Sequence, residues 1–383
     1  MKKVLCILSA TLALVACDGL FGPDNGSVPD VKDPISISLP DPDASLTRVT
    51  LTSEQQAYVA SGNEFALKCL SELCKDSPAT TIFSPLSLQY ALAMVANGAS
   101  GKTAEEISST LGFGADLDAL NEFCNLLLNQ LPALDPDVEI KLTDAVVVSD
   151  SYKLRDAYTN IMESTFYAPV EYMSFSNKNT VIDRINEWAS RNTNGLIYPL
   201  LQKGDLDGTI AAIMNALYFK APWAELMGTM FNPELTMKDA EFTRDGGEKM
   251  RVKLMRASEY FGYAERDGYR VVRIPFAKGN FAMYVLLPDE VGGNGLQELL
   301  SKLPGENWKE LTGSLTGGTE VHLRLPKFEA DSKFNLVGTM RALGISRAFT
   351  GGEAEFDRMF ESSDDFFINS IIQKAKINVN EWG

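Results

Sequence analysis

The chain holds a single histidine, His322, so a Ser-His-Asp or Cys-His nucleophile would have to be activated by it. It stands in "VHLRLP", where Val321, Leu323 and Leu325 alternate with His322 and Arg324. Period-2 alternation puts the histidine on the polar face of a strand, an ordinary surface position rather than that of a general base. "GASGKT" (98–103) invites a phosphate-loop reading. The loop G-x-x-x-x-G-K-[ST] needs glycine where Ala96 stands, and this stretch follows a helical run rather than a strand, so the reading fails. Cys69, Cys74 and Cys124 lack metal-ligand spacing and read as small buried thiols. No H-E-x-x-H, C-x-x-C or EF-hand pattern occurs, and the acid-rich run 353–365 reads as a solvated loop. The residues therefore point away from an enzyme, with no catalytic group, metal site or cofactor expected.

The formal net charge of -16 excludes a reader of nucleic-acid backbones, which needs clustered Lys and Arg. Lys2-Lys3 precede an apolar run at 4–16 that is too short to span a bilayer. The run ends in Leu14-Val15-Ala16-Cys17, which resembles the bacterial lipobox. That resemblance implies a signal peptide over 1–16, cleavage before Cys17, and acylation of its thiol. The expected location is the bacterial cell envelope, exported and lipid-anchored, on a periplasmic or extracellular face. Residues 17–50 carry five prolines, all beyond residue 17, with many Asp, Ser and Gly, and read as a flexible tether. From 51 to 383 no further linker or repeat appears, so one folded domain is expected.

The elements that would position a site are helical first and extended later. Thr52 to Gln55 has capping-box form, and Phe65, Cys69, Leu70 and Leu73 then share a helix face. Ser84-Pro85 sets a capping serine before a proline at the first helical position. An almost wholly apolar helix follows and stops at Gly98. Thr103 to Glu106 reads as a second capping box, and 186–201 as a helix interrupted at Asn194-Gly195. "AAIMNALYFK" (211–220) has the continuous apolar character of a central strand. "YRVVRIPF", "FAMYVLLP" and "EVHLRLPKF" repeat the extended pattern, 336–343 is helical, and "FINSIIQKAKINVN" predicts one long strand. The fold class is α+β with large sheets.

Six segments, in order, resemble the serpin family. They are "IFSPLSLQYALAMVANGASGKTAEEI" (82–107), "INEWASRNTNGLIYPLL" (185–201), "MNALYFKAPW" (214–223), "LPDE" (287–290), "LRLPKFEADSKFNLVGTMRALGISRAF" (323–349) and "INSIIQKAKINVNEWG" (368–383). The resemblance implies helices around a large central mixed sheet plus smaller sheets, in a monomer. It also implies inhibition of a target serine protease, less often a cysteine protease, by suicide-substrate loop insertion into the central sheet. Glu381, Trp382 and Gly383 fall at the family's hinge before the reactive-centre loop, although Trp382 stands where a small polar or acidic residue is usual. The loop, the scissile bond and the last strands would lie after Gly383, so the chain as given is expected not to inhibit. Ser84, Ser87, Asn215 and Gln373 fall at the shutter, where Gln373 replaces a histidine, and Trp223 falls at the breach. Gln373 shares its strand face with Ile371, Ala375, Ile377 and Val379, so its amide is expected to point inward and bond Asn215 or a shutter serine. Because glutamine does not titrate, no histidine-linked pH dependence of sheet opening is expected. The alternative is a non-inhibitory binding or structural module of the envelope with the same fold.

Overall fold

A computed structural model describes residues 5–7, 48–75, 80–114, 116–225, 229–244, 247–290, 295–305, 307–362 and 364–383. Cys17 and the tether as far as residue 47 lie outside the described residues, as does the leader 1–16 apart from 5–7. In chain order the elements are β1 (Leu5–Ile7), α1 (Ser53–Cys74), α2 (Pro85–Gly98), α3 (Gly101–Leu111), α4 (Leu117–Gln130), β2 (Glu139–Ser149), α5 (Asp156–Thr165), β3 (Val170–Met173), α6 (Lys178–Asn192) and β4 (Ala211–Lys220). They continue with β5 (Met237–Thr243), β6 (Lys249–Arg266), β7 (Tyr269–Phe276), β8 (Phe281–Pro288), α7 (Gly295–Lys302), α8 (Trp308–Gly313), β9 (Thr316–Pro326), β10 (Phe328–Asn335), α9 (Val337–Ala342) and β11 (Ile372–Val379).

The strands form three sheets. One follows the order β1-β8-β7-β6-β5, with β9 also on β6; the second is β3-β2-β4; the third is β10-β11. β2 and β4 are antiparallel, with Asp144 opposite Asn215. Their two faces lie in different cores. Leu142, Val146 and Val148 join the main core with α2, while Ala145, Val147, Met214 and Ala216 pack on Ile185, Trp188 and Ala189 of α6. Burial on both faces accounts for the unbroken apolar runs that mark these strands in the sequence.

Local signals act where expected at two helix starts. The Thr52 hydroxyl accepts the Gln55 N–H while Gln55 Oε1 accepts the Thr52 N–H, which completes the capping box. Ser84 caps α2 through Ser87, with Pro85 first in the helix. α3 departs from expectation. It begins at Gly101 rather than at a Thr103 cap, because the Glu355 carboxylate accepts the Thr103 N–H and the Thr103 hydroxyl accepts the Glu355 N–H. Glu355 thus serves as a cap supplied from a distant loop, which also gives the acid-rich run a structural part. α6 begins at Lys178, well before Asn186. The last strand is shorter than expected, since 367–371 is not extended ladder and only Ile372–Val379 pairs with β10. There the Asn369 amide instead bonds Asp207 and Thr209.

Candidate functional site

β4 and β11 flank a cavity of about 530 Å³, and no backbone hydrogen bond joins the two strands among the described residues. Residues 210–217 form one wall and 368–376 the other, while Ser84, Ser87, Leu88 and Leu92 of α2 contribute a floor. The three-stranded sheet β3-β2-β4 and the two-stranded sheet β10-β11 thus stand on either side of the cavity.

Both ends of the opening are pinned. At the lower end the Asn369 amide donates to the Asp207 carbonyl at 3.1 Å and to Thr209 Oγ1 at 3.1 Å. At the upper end Trp223, just past β4, donates from Nε1 to the Asn380 carbonyl at 2.7 Å. The Trp223 ring is buried, stacked on Phe276 at 4.7 Å and edge-on to Phe231 at 5.3 Å. Asn380 and Gly383 exchange backbone hydrogen bonds, closing a turn at the end of β11. Gly383 has φ +134, and a Cβ there would meet the Ala221 carbonyl, so the turn needs glycine for both backbone and space.

Within that turn Glu381 is 7% exposed and forms an ion pair with Lys327 at 2.9 Å, while accepting from Thr236 Oγ1 at 2.9 Å. Burial alone would raise its carboxyl, but hydrogen bonds from Lys327, its own backbone and Thr236, with the lysine charge, hold it below the ordinary value. Lys327→Met is expected to lower stability by about 1–3 kcal/mol at neutral pH, measured by urea unfolding. A depressed carboxyl contributes above its unfolded value and loses that contribution as pH falls. The difference between wild type and variant should therefore shrink in acid. Trp382 points out, 63% exposed, and does not lie against the sheet.

The four residues expected at the shutter fall into two separate groups. Gln373 Oε1 accepts the Ser84 N–H at 2.9 Å and Gln373 Nε2 donates to the Ser84 carbonyl at 2.9 Å, so one amide clasps one backbone unit at the start of α2. Ser84 Oγ donates to Ser87 Oγ at 3.0 Å. Asn215 takes no part in this clasp. Its Nδ2 donates to Asp144 Oδ1 at 2.7 Å, across β2 and β4. Asp144 is 1% exposed, and burial pushes its carboxyl up to about 7 despite the bond from Asn215. Sequence reasoning passed over Asp144, yet a signal existed. In "LTDAVVV" it occupies the face shared by Leu142, Val146 and Val148, an inward position for an acid.

The family model described as Serpin (serine protease inhibitor) matches residues 60–383. The chain is a serpin. Among relatives, Serpin-Z2B of Triticum aestivum is 29% identical over 352 residues, covering 87% of this chain and 85% of the relative. The leukocyte elastase inhibitor of Xenopus laevis is 31% identical over 328 residues, covering 80% and 81%. Among solved structures, cleaved Serpin 42Da superposes with a TM-score of 0.79 at 28% identity, covering 86% of this chain and 87% of that one. Emu ovalbumin, at 23% identity and a TM-score of 0.79, shares the serpin fold. Serpins are in the main protease inhibitors rather than enzymes. His322 Nδ1 lies 2.9 Å from Ser258 Oγ, its partner across β6 and β9, at an exposed position outside the cavity between β4 and β11. His322→Ala is expected to change unfolding free energy by less than about 0.5 kcal/mol, as for an ordinary surface position. The thiols Cys69, Cys74 and Cys124 are buried, and burial raises Cys69 and Cys124 far above neutrality, which keeps those two protonated.

Proposed function

We propose that this serpin is the body of a bacterial envelope protease inhibitor that works by admitting its own reactive-centre loop as an extra strand between β4 and β11. One observation carries the proposal: the cavity that separates these strands along 210–217 and 368–376, pinned at both ends. On this reading Glu381, Trp382 and Gly383 are the hinge, Trp223 is the breach residue, and Ser84, Ser87, Asn215 and Gln373 are the shutter. The likeness to the leukocyte elastase inhibitor supports a serine protease as target. Cleavage of the loop would release the strain of an incomplete sheet, and the acyl-enzyme would be carried along with the inserting strand. The test is a chain continuing past Gly383 with a reactive-centre loop, incubated with trypsin-, chymotrypsin- and elastase-like proteases. An SDS-resistant complex supports inhibition; complete cleavage with full protease activity contradicts it.

A second reading has one residue in its favour. Trp382 sets a bulky, 63% exposed ring at the hinge, where side-chain bulk opposes smooth insertion. It supports a non-inhibitory binding or structural module with the serpin fold. The lipobox ending at Cys17 supports export, lipid anchoring and a periplasmic or surface location for the monomer in either case. Fatty-acid labelling that survives in wild type and vanishes in Cys17→Ser tests this anchor.

A further inference from the structure

We propose that Asp144 and Asn215 form a proton-operated clasp between β2 and β4, a reciprocal acid–amide pair when the carboxyl is protonated and a singly bonded, charged pair when it is not. The clasp needs neither a protease nor a loop. Two buried acceptor atoms, Asp144 Oδ2 and Asn215 Oδ1, have no hydrogen-bond partner, although the residues stand directly opposite each other in the ladder and already share one bond. Two orphaned acceptors on one directly opposed residue pair lack one donor. A proton on Asp144 Oδ2 supplies it, because the acid O–H then donates to the amide carbonyl while the amide N–H donates to the acid carbonyl. Both buried acceptors are satisfied in one step, and no charge remains in the core.

The surroundings favour that proton. Asp144 forms no ion pair with any described residue, and the face it occupies is lined by Leu142 and Val146. The titratable groups that feel it are Tyr90 of α2 and Cys124 of α4; burial raises both well above neutrality, so they stay uncharged. Tyr90 donates to the Cys124 carbonyl and cannot turn its hydroxyl to the carboxylate without losing that bond. From β4 the facing group is the Asn215 amide. Burial with one compensating hydrogen bond moves the carboxyl up to about 7, within the physiological range. A raised carboxyl stabilises the fold fully below the ordinary aspartate value, loses that contribution as pH rises to about 7, and is flat above. Asn215 also lines the cavity wall on β4, so the clasp sits at the edge of the opening.

The experiment compares wild type with Asp144→Asn, which keeps the shape and carries a permanent donor. The variant is expected to have the higher thermal midpoint above neutral pH, with the gap closing steadily as pH falls toward about 5. Infrared or carbon-13 titration of the wild type should show one buried protonated carboxyl near neutral pH, ionising around 7 and missing from the variant. Parallel midpoint profiles, or aspartates that are all ionised at pH about 5.5, overturn the proposal. If the variant does not fold, the wild-type titration alone decides.

Discussion

A strand-length peptide of alternating Ala, Thr and Ser, added in excess, is expected to raise the thermal midpoint of this serpin by at least about 10 °C. The physical basis is the unfilled opening between β4 and β11. The cavity of about 530 Å³ is lined on both banks and on its floor by mostly apolar side chains, whose unfilled contacts a bound strand would satisfy. An extended peptide would fill that volume and offer backbone partners to both flanking strands. Small side chains are required because α2 lies directly below and the segment after α6 contributes to the same enclosure. A peptide of equal length interrupted by prolines cannot donate to the ladders and should leave the midpoint unchanged. Calorimetry over a peptide titration checks both outcomes.

Gln373→Ala is expected to destabilise the chain by about 2–4 kcal/mol, read from urea unfolding. The substitution removes two hydrogen bonds at once, both to the backbone of Ser84, which is 6% exposed. The Ser84 carbonyl still accepts from Leu88, but its N–H loses the Gln373 acceptor and is left buried. Gln373→Glu separates this account from simple loss of volume. It keeps the size yet cannot donate to the Ser84 carbonyl when ionised, so its cost should grow as pH rises past the carboxylate range. Lys374→Ala, one residue on and facing the other way, loses only a bond to the Pro199 carbonyl and should lie within about 0.5 kcal/mol of wild type.

Much of this was legible in the sequence where the cause is local. The capping box at Thr52, the Ser84-Pro85 start of α2, the doubly buried character of β4 and the inward amide of Gln373 all follow from nearest neighbours and strand period. What was not legible depends on distant partners. The start of α3 is fixed by Glu355, 252 residues from Thr103, and no local pattern reveals it. The shortened β11 follows from Asn369 bonding across to Thr209 rather than continuing the ladder. The polar first turns of α6 concealed its true beginning at Lys178. The opening itself is invisible to periodicity, because an apolar strand reads the same beside a neighbour as beside a gap. Asp144 was readable as an inward acid, but its importance rests on Asn215 standing opposite, which only the register discloses.

Amide hydrogen exchange on β4 and β11, with and without the small-residue peptide, is the most direct probe of the proposal that a further strand enters between them. Amides on the facing edges should exchange rapidly in the chain alone and become strongly protected once peptide is bound. Slow exchange that the peptide leaves untouched would mean that β4 and β11 are already joined, and would contradict the account.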